Sequence, residues 1–255
     1  MLVALAAATA ALAAPQPLAG RTVVLDPGHN GANARAPQRI ARRVPVGGGR
    51  RKACDTTGTA SARGEAESAL TWDVSRRAGA LLRARGARVV LTRRSDDGVG
   101  PCIDERARIG NRARADAAVS VHADGGPASG RGFHVIVPAR ITGLTDDIAA
   151  PSRRLGLALR GAFARATGLP RSTYAGREGL AVRGDLGGLR LSDVPKVFLE
   201  MGNMRNARDA ARLRGTRNRD RLARGIADGV AAFLERRRTS SASLARRSPA
   251  TSLHT

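Results

Sequence analysis

The sequence predicts an α/β domain built on a twisted, mostly parallel sheet flanked by helices. Short runs of Val, Leu, Ile and Ala alternate along the chain with longer segments of helical periodicity. Several of these strand-like runs stop at polar residues, as in LDPGHNG, SVHADGG and FLEMGN, so polar groups collect at the carboxyl ends of strands. The 255 residues, 42% of them hydrophobic, suit one domain with tails, and neither an internal repeat nor a second globular segment is visible.

The elements follow in order. LVALAAATAALAAPQP is an apolar run ending in small residues before Pro15. It is like the core and A-x-A end of a secretory signal, here residues 1–14, and predicts export. It lacks a basic start and is too short to give a stable membrane span, so a short anchor or an unstructured terminus is the other reading. Thr22 to Leu25 reads as the first strand. Residues 31–64 show no sustained periodicity and read as a long basic loop, of the length usually kept for function. Glu65 to Arg85 reads as a helix through Leu70, Val74, Leu81 and Leu82, stopped at Gly86. Arg88 to Thr92 is a strand. Ile103 to Ala115 is a helix, acidic at its start and arginine-rich at its end, which matches the helix dipole. Ala117 to Val121 is a strand leading into His122. In the strand 132–138, Phe133, Val135 and Val137 alternate with His134 and Ile136. Ser152 to Thr167 is a helix ended by Gly168 and Pro170. Val197 to Leu199 is a short buried strand leading into Glu200, and Arg217 to Arg236 is the last helix. The domain is thus residues 20–236, and 237–255 reads as a disordered basic tail.

The net charge is +23, and of the 44 basic residues only Lys52 and Lys196 are lysines. So lopsided a ratio reads as compositional bias, yet the surface still attracts polyanions such as anionic wall polymers. Specific nucleic-acid binding is not expected: aromatics are 2% of the chain, Trp72 and Tyr174 are single, and no zinc-finger or helix-turn-helix pattern is present. Cys54 and Cys102 are the only cysteines. In an exported chain an even pair suggests one disulfide, and two unrelated thiols are the alternative.

His29 follows the first strand, His122 the third and Glu200 the last, so all three face one sheet edge, where α/β proteins bind ligands. Glu67 opens the first long helix. Two histidines and a glutamate suit a catalytic zinc, but HExxH is absent and the spacing alone is weak. Read singly, each histidine is as well explained by a turn or the core. Asp26 and Asp124 flank the histidines, either to orient an imidazole or to cap turns. Asn203 reads as a turn residue, and His134 and His254 receive no role. Arg63, Arg131 and Arg183 are candidate clamps for carboxylates, three among very many arginines.

DPGHNG, GEAE opening a helix, SVHADGG and LEMGNM, in that order, resemble the zinc-dependent N-acetylmuramoyl-L-alanine amidases. The resemblance runs from residue 21 to about 236. GPCIDERARI and HADGGPASGRGFHV make it most like the single-domain mycobacterial and actinobacterial members. It implies a mixed, six-stranded sheet, one zinc ion per chain held by His29, Glu67 and His122, and Glu200 as the catalytic glutamate. Motif position selects Glu67 over Glu65 within Gly64-Glu65-Ala66-Glu67. It also implies that Cys54 pairs with Cys102. The expected substrate is peptidoglycan or its muropeptides, cut between N-acetylmuramic acid and L-alanine by a secreted monomer in the periplasm or cell wall. A zinc carboxypeptidase-like hydrolase acting on stem peptides and an inactive basic wall-binding module are the competing readings. The loop 31–64 is the candidate cover for the site.

Overall fold

Val23, Val24 and Leu25 lie in strand β1 (Thr22–Pro27) and are buried on both faces, as expected where helices cover both sides of a parallel sheet. β1 pairs in parallel with β4 (Arg88–Leu91) on one side and β5 (Ala117–Asp124) on the other. β5 pairs in parallel with β8 (Lys196–Asn203). β6 (His134–Pro138) runs antiparallel to β8 and carries β7 (Leu180–Arg183) in parallel at the edge. The sheet is therefore six-stranded and mixed, in the order β4-β1-β5-β8-β6-β7. This computed structural model describes residues 16–245; the expected signal segment, 1–14, lies outside the described residues.

The larger core joins one sheet face to α2 (Glu67–Ala84), α4 (Ala149–Thr167) and α7 (Thr216–Ala245). Leu70, Val74 and Leu82 of α2, Leu155, Leu159 and Phe163 of α4, and Leu222, Ile226 and Val230 of α7 meet Leu25, Val119 and Val197 there. Each helix contributes apolar residues three or four apart, the spacing of a single buried stripe. Val24 and Ala118 point to the opposite face, into a smaller cluster with Ala115 and Val194. α3 (Ile103–Arg112) and α5 (Gly187–Arg190) pack together, and α5 also packs on β6. No described helix is long and apolar enough to cross a membrane.

Three departures from the sequence expectation stand out. Residues 31–64 hold a 3-10 turn (Asn33–Arg35), α1 (Pro37–Ala41) and a hairpin of β2 (Arg43–Pro45) with β3 (Arg51–Ala53). Three-residue strands are too short to show a period in sequence. β7, α5 and α6 (Ala207–Leu213) were not expected either, for the same reason of length. The last helix runs on to Ala245, because neither glycine nor proline intervenes between Gly229 and Pro249. The segment expected as a disordered tail from 237 thus begins as helix, and 246–255 lie outside the described residues.

Candidate metal centre and active site

β1 stays bonded to β5 as it ends, since Gly28 N–H donates to Val121 O at 2.9 Å. A Cβ on Gly28 would come within 2.6 Å of the His122 ring, so only glycine lets His122 lie across the end of β1. His29 follows with φ 59°, a left-handed conformation that a non-glycine residue holds only when its surroundings fix it. Glu67, the first residue of α2, is 4% exposed and points back at this corner. His29, Glu67 and His122 each offer a ligand atom, and these atoms all lie within 4.8 Å of one another.

The carboxylate of Glu67 ties the group together. One oxygen lies 3.0 Å from His122 Nδ1 and accepts from Ala123 N–H at 3.1 Å. The other lies 3.2 Å from His29 Nε2 and accepts from Thr59 N–H at 2.9 Å. Burial alone would lower the pKa of His29, but Asp55 and Glu67 together push it up to about 10. His29 Nδ1 faces Thr56 O at 3.1 Å and Asp55 at 3.4 Å, which fixes the ring and leaves Nε2 for a ligand role. Two imidazoles, one carboxylate and anionic surroundings suit a divalent metal ion with a coordination position left open. Glu65 stays out of the group: it pairs with Arg214 at 3.1 Å.

Glu200 sits opposite His122 in the parallel pairing of β5 and β8. Its Oε2 is buried without a hydrogen-bond partner. Burial, then the charges of Glu67 and Asp124, raises its pKa well above the usual carboxylate range. Glu200, Asp124, Glu67 and both histidines line an open cleft of about 270 Å³. A second cavity of about 450 Å³ also touches His29 and His122. Arg43, Arg51 and Lys52 of the hairpin, with Ile103 and Phe198, line it, so the segment expected as a cover forms a wall beside the histidines. His122 stacks on Phe198, 5.1 Å between ring centroids.

The flanking residues fall out differently from expectation. Asp26 touches neither histidine and caps no turn. It is buried among Arg106 at 3.0 Å, Lys196 at 3.2 Å, Thr92 at 2.6 Å and Ser120. Arg106 then reaches Asp55 at 3.1 Å and donates to His29 O at 2.8 Å, so Asp26 connects to His29 through Arg106. Asn203 opens a turn as expected, its Oδ1 accepting from Arg205 N–H at 3.0 Å, and is a staple as well: its amide donates to Pro127 O at 2.7 Å and Gly130 O at 2.8 Å. Arg183 is bidentate on Asp185, and Arg131 lies 3.9 Å from Asp209. Sequence reasoning missed Asp55 and Thr56, whose one signal is their place directly after Cys54. The Cys54–Cys102 disulfide pins that segment to the start of α3, and closing so long a loop is worth about 4 kcal/mol in the chain-entropy picture.

The profile of the N-acetylmuramoyl-L-alanine amidase family Amidase_3 matches residues 23–232. The chain is 43% identical over 226 residues to N-acetylmuramoyl-L-alanine amidase Rv3717 of Mycobacterium tuberculosis, covering 89% of this chain and 91% of that protein. Among solved structures it is similar to the N-acetylmuramyl-L-alanine amidase Ami1 of Mycobacterium smegmatis, with 42% identity, a TM-score of 0.80, and coverage of 85% and 98% of the two chains. The apo form of Ami1 from Mycobacterium abscessus gives 43% identity, a TM-score of 0.80, and coverage of 85% and 100%. A profile match over most of the chain and a relative 43% identical over nearly its whole length place this protein in the N-acetylmuramoyl-L-alanine amidase family.

Proposed function

We propose that the protein is a secreted, monomeric zinc hydrolase that cleaves the amide between N-acetylmuramic acid and L-alanine in peptidoglycan or its muropeptides. The observation that carries this reading is the convergence of His29, Glu67 and His122 next to Glu200 in a chain of this family. His29, Glu67 and His122 would hold the zinc, which when bound supplies Lewis acidity to the scissile carbonyl and the attacking water.

The chain's own residues do the rest. Gly125 and Asp124 line the same cleft as Glu200 and the histidines. Glu200 takes a proton from the water as its oxygen bonds to the carbonyl carbon, then delivers that proton to the L-alanine nitrogen as the C–N bond breaks. Its place among apolar strand residues favours this exchange, since burial opposes a permanent charge there. Asp55 and Thr56 keep His29 oriented throughout.

A carboxypeptidase-like enzyme would need a free arginine for the terminal carboxylate. The arginine whose charge acts on Glu200 is Arg183, and Asp185 holds it with two hydrogen bonds. The presence of both the ligand set and Glu200 speaks against an inactive wall-binding module. The test is mass spectrometry of purified muramyl peptides incubated with the protein, with and without a chelator. Release of a stem peptide with a free L-alanine amino terminus, abolished by chelation, is the expected outcome. Loss of a C-terminal residue instead would move the assignment to the carboxypeptidase class.

A further inference from the structure

Tyr174 is the only tyrosine of the chain and lies outside the helices and strands. Its ring is seated between Gly126 and Gly130, where a Cβ on either would come within 2.6 Å of a ring carbon. Asn203 staples that glycine loop in place. The hydroxyl oxygen is buried and makes no hydrogen bond. Burial first, then Asp124, which can itself accept from the hydroxyl, and after it Glu200 keep its proton on.

His134 joins the same patch. Antiparallel pairing sets it directly across from Glu200, so the two side chains stand on one face of the sheet. Its ring meets Tyr174 edge-on, 6.0 Å between centroids. His134 is 3% exposed, and its Nδ1 has no partner. The third orphaned atom is Glu200 Oε2. Leaving such atoms unsatisfied is costly, and folded proteins keep few of them. Here the His134 Nδ1, directly across the strand from Glu200, and the Tyr174 hydroxyl, beside the His134 ring, are two unpartnered groups able to donate next to an unpartnered carboxylate oxygen.

We propose that Tyr174 and His134 are positioning residues for Glu200: they present donors to Oε2 and so hold Oε1 toward the cleft during the reaction. The inference rests on the amidase reading and adds the groups that orient its general base.

The test measures steady-state hydrolysis of muramyl dipeptide by the zinc-loaded full chain. It compares wild type with Tyr174→Phe, His134→Gln and His134→Leu, each alone and combined with Glu200→Asp. Tyr174→Phe is expected to lower kcat roughly tenfold with KM within about twofold of wild type. His134→Gln, which keeps a donor, loses less than His134→Leu. Both effects shrink in the Glu200→Asp background, where the shortened carboxylate no longer reaches the donors. Bound zinc and Tm stay at the wild-type values. A rise in KM at unchanged kcat, an unchanged kcat, or equal losses in both backgrounds would overturn the proposal. A second readout needs no turnover. Ring-labelled tyrosine gives one NMR signal, from Tyr174, and Glu200→Gln and His134→Leu must each shift it. An unshifted signal overturns the proposal by itself. Failure of the wild type to release peptide is a separate result and bears on the amidase reading.

Discussion

Asp26 and Glu200 are both carboxylates of inner strands, yet Asp26 accepts from Arg106, Lys196, Thr92 and Ser120, whereas Glu200 leaves Oε2 with no partner. The pKa shifts follow. Against the opposing effect of burial, Lys196 and Arg106 hold Asp26 well below the usual range. Burial and the charges of Glu67 and Asp124 push Glu200 well above it. The difference divides the site. On the β1–β5 side, Glu67 and His29 sit in satisfied hydrogen bonds that fix a donor set. On the β8–β6 side, Glu200, His134 and Tyr174 keep unsatisfied atoms. A saturated carboxylate is pinned as an anion, and an unsaturated one stays able to exchange a proton.

Mutations sharpen this division, beginning with the largest effect. Glu200→Gln should lower kcat about 10³-fold, within the span of general acid–base catalysis, with bound zinc unchanged by elemental analysis. Asp26→Ala strands the buried charges of Lys196 and Arg106, and denaturant unfolding should show a loss of about 3–5 kcal/mol. Because the folded pKa of Asp26 is depressed, its contribution is present above the ordinary aspartate pKa of about 3.9 and is lost as pH falls below that value. The acid limb of a stability–pH profile should therefore be shallower in Asp26→Asn than in wild type. Asp55→Ala removes a partner of His29 and should weaken zinc affinity roughly 10–100-fold in a competition titration, leaving kcat near wild type once zinc is saturating. Glu65→Gln removes only a half-exposed pair with Arg214 and should cost less than about 1 kcal/mol, with no change in zinc. A zinc loss in Glu65→Gln, or a turnover defect at saturating zinc in Asp55→Ala, would break the division.

The sequence carried the strand ends well. His29 lies past the end of β1 as read, whereas His122 and Glu200 lie inside the second halves of β5 and β8, which run on beyond the apolar stretches to Asp124 and Asn203. Glu67 was selectable over Glu65 only through motif position, since both are glutamates at a helix start. What stayed hidden depends on contacts between distant segments. Asp55 and Thr56 sit in a stretch whose strands are three residues long, so no periodicity announced that it folds back onto His29. Asp26 read as a flanking turn or orienting residue because nothing local reveals that Lys196, 170 positions away, reaches it. His134 looked like one member of an alternating strand. Its place opposite Glu200 exists only through the antiparallel register of β6 with β8.

The central claim is that one side of the site holds the metal and the other moves the proton. The most direct test is zinc content measured together with muramyl dipeptide hydrolysis for wild type, Glu67→Gln and Glu200→Gln. The account predicts a crossed result: Glu67→Gln loses both zinc and turnover, whereas Glu200→Gln keeps one zinc per chain and loses turnover. Zinc loss in Glu200→Gln, or substantial turnover by either variant, would contradict it.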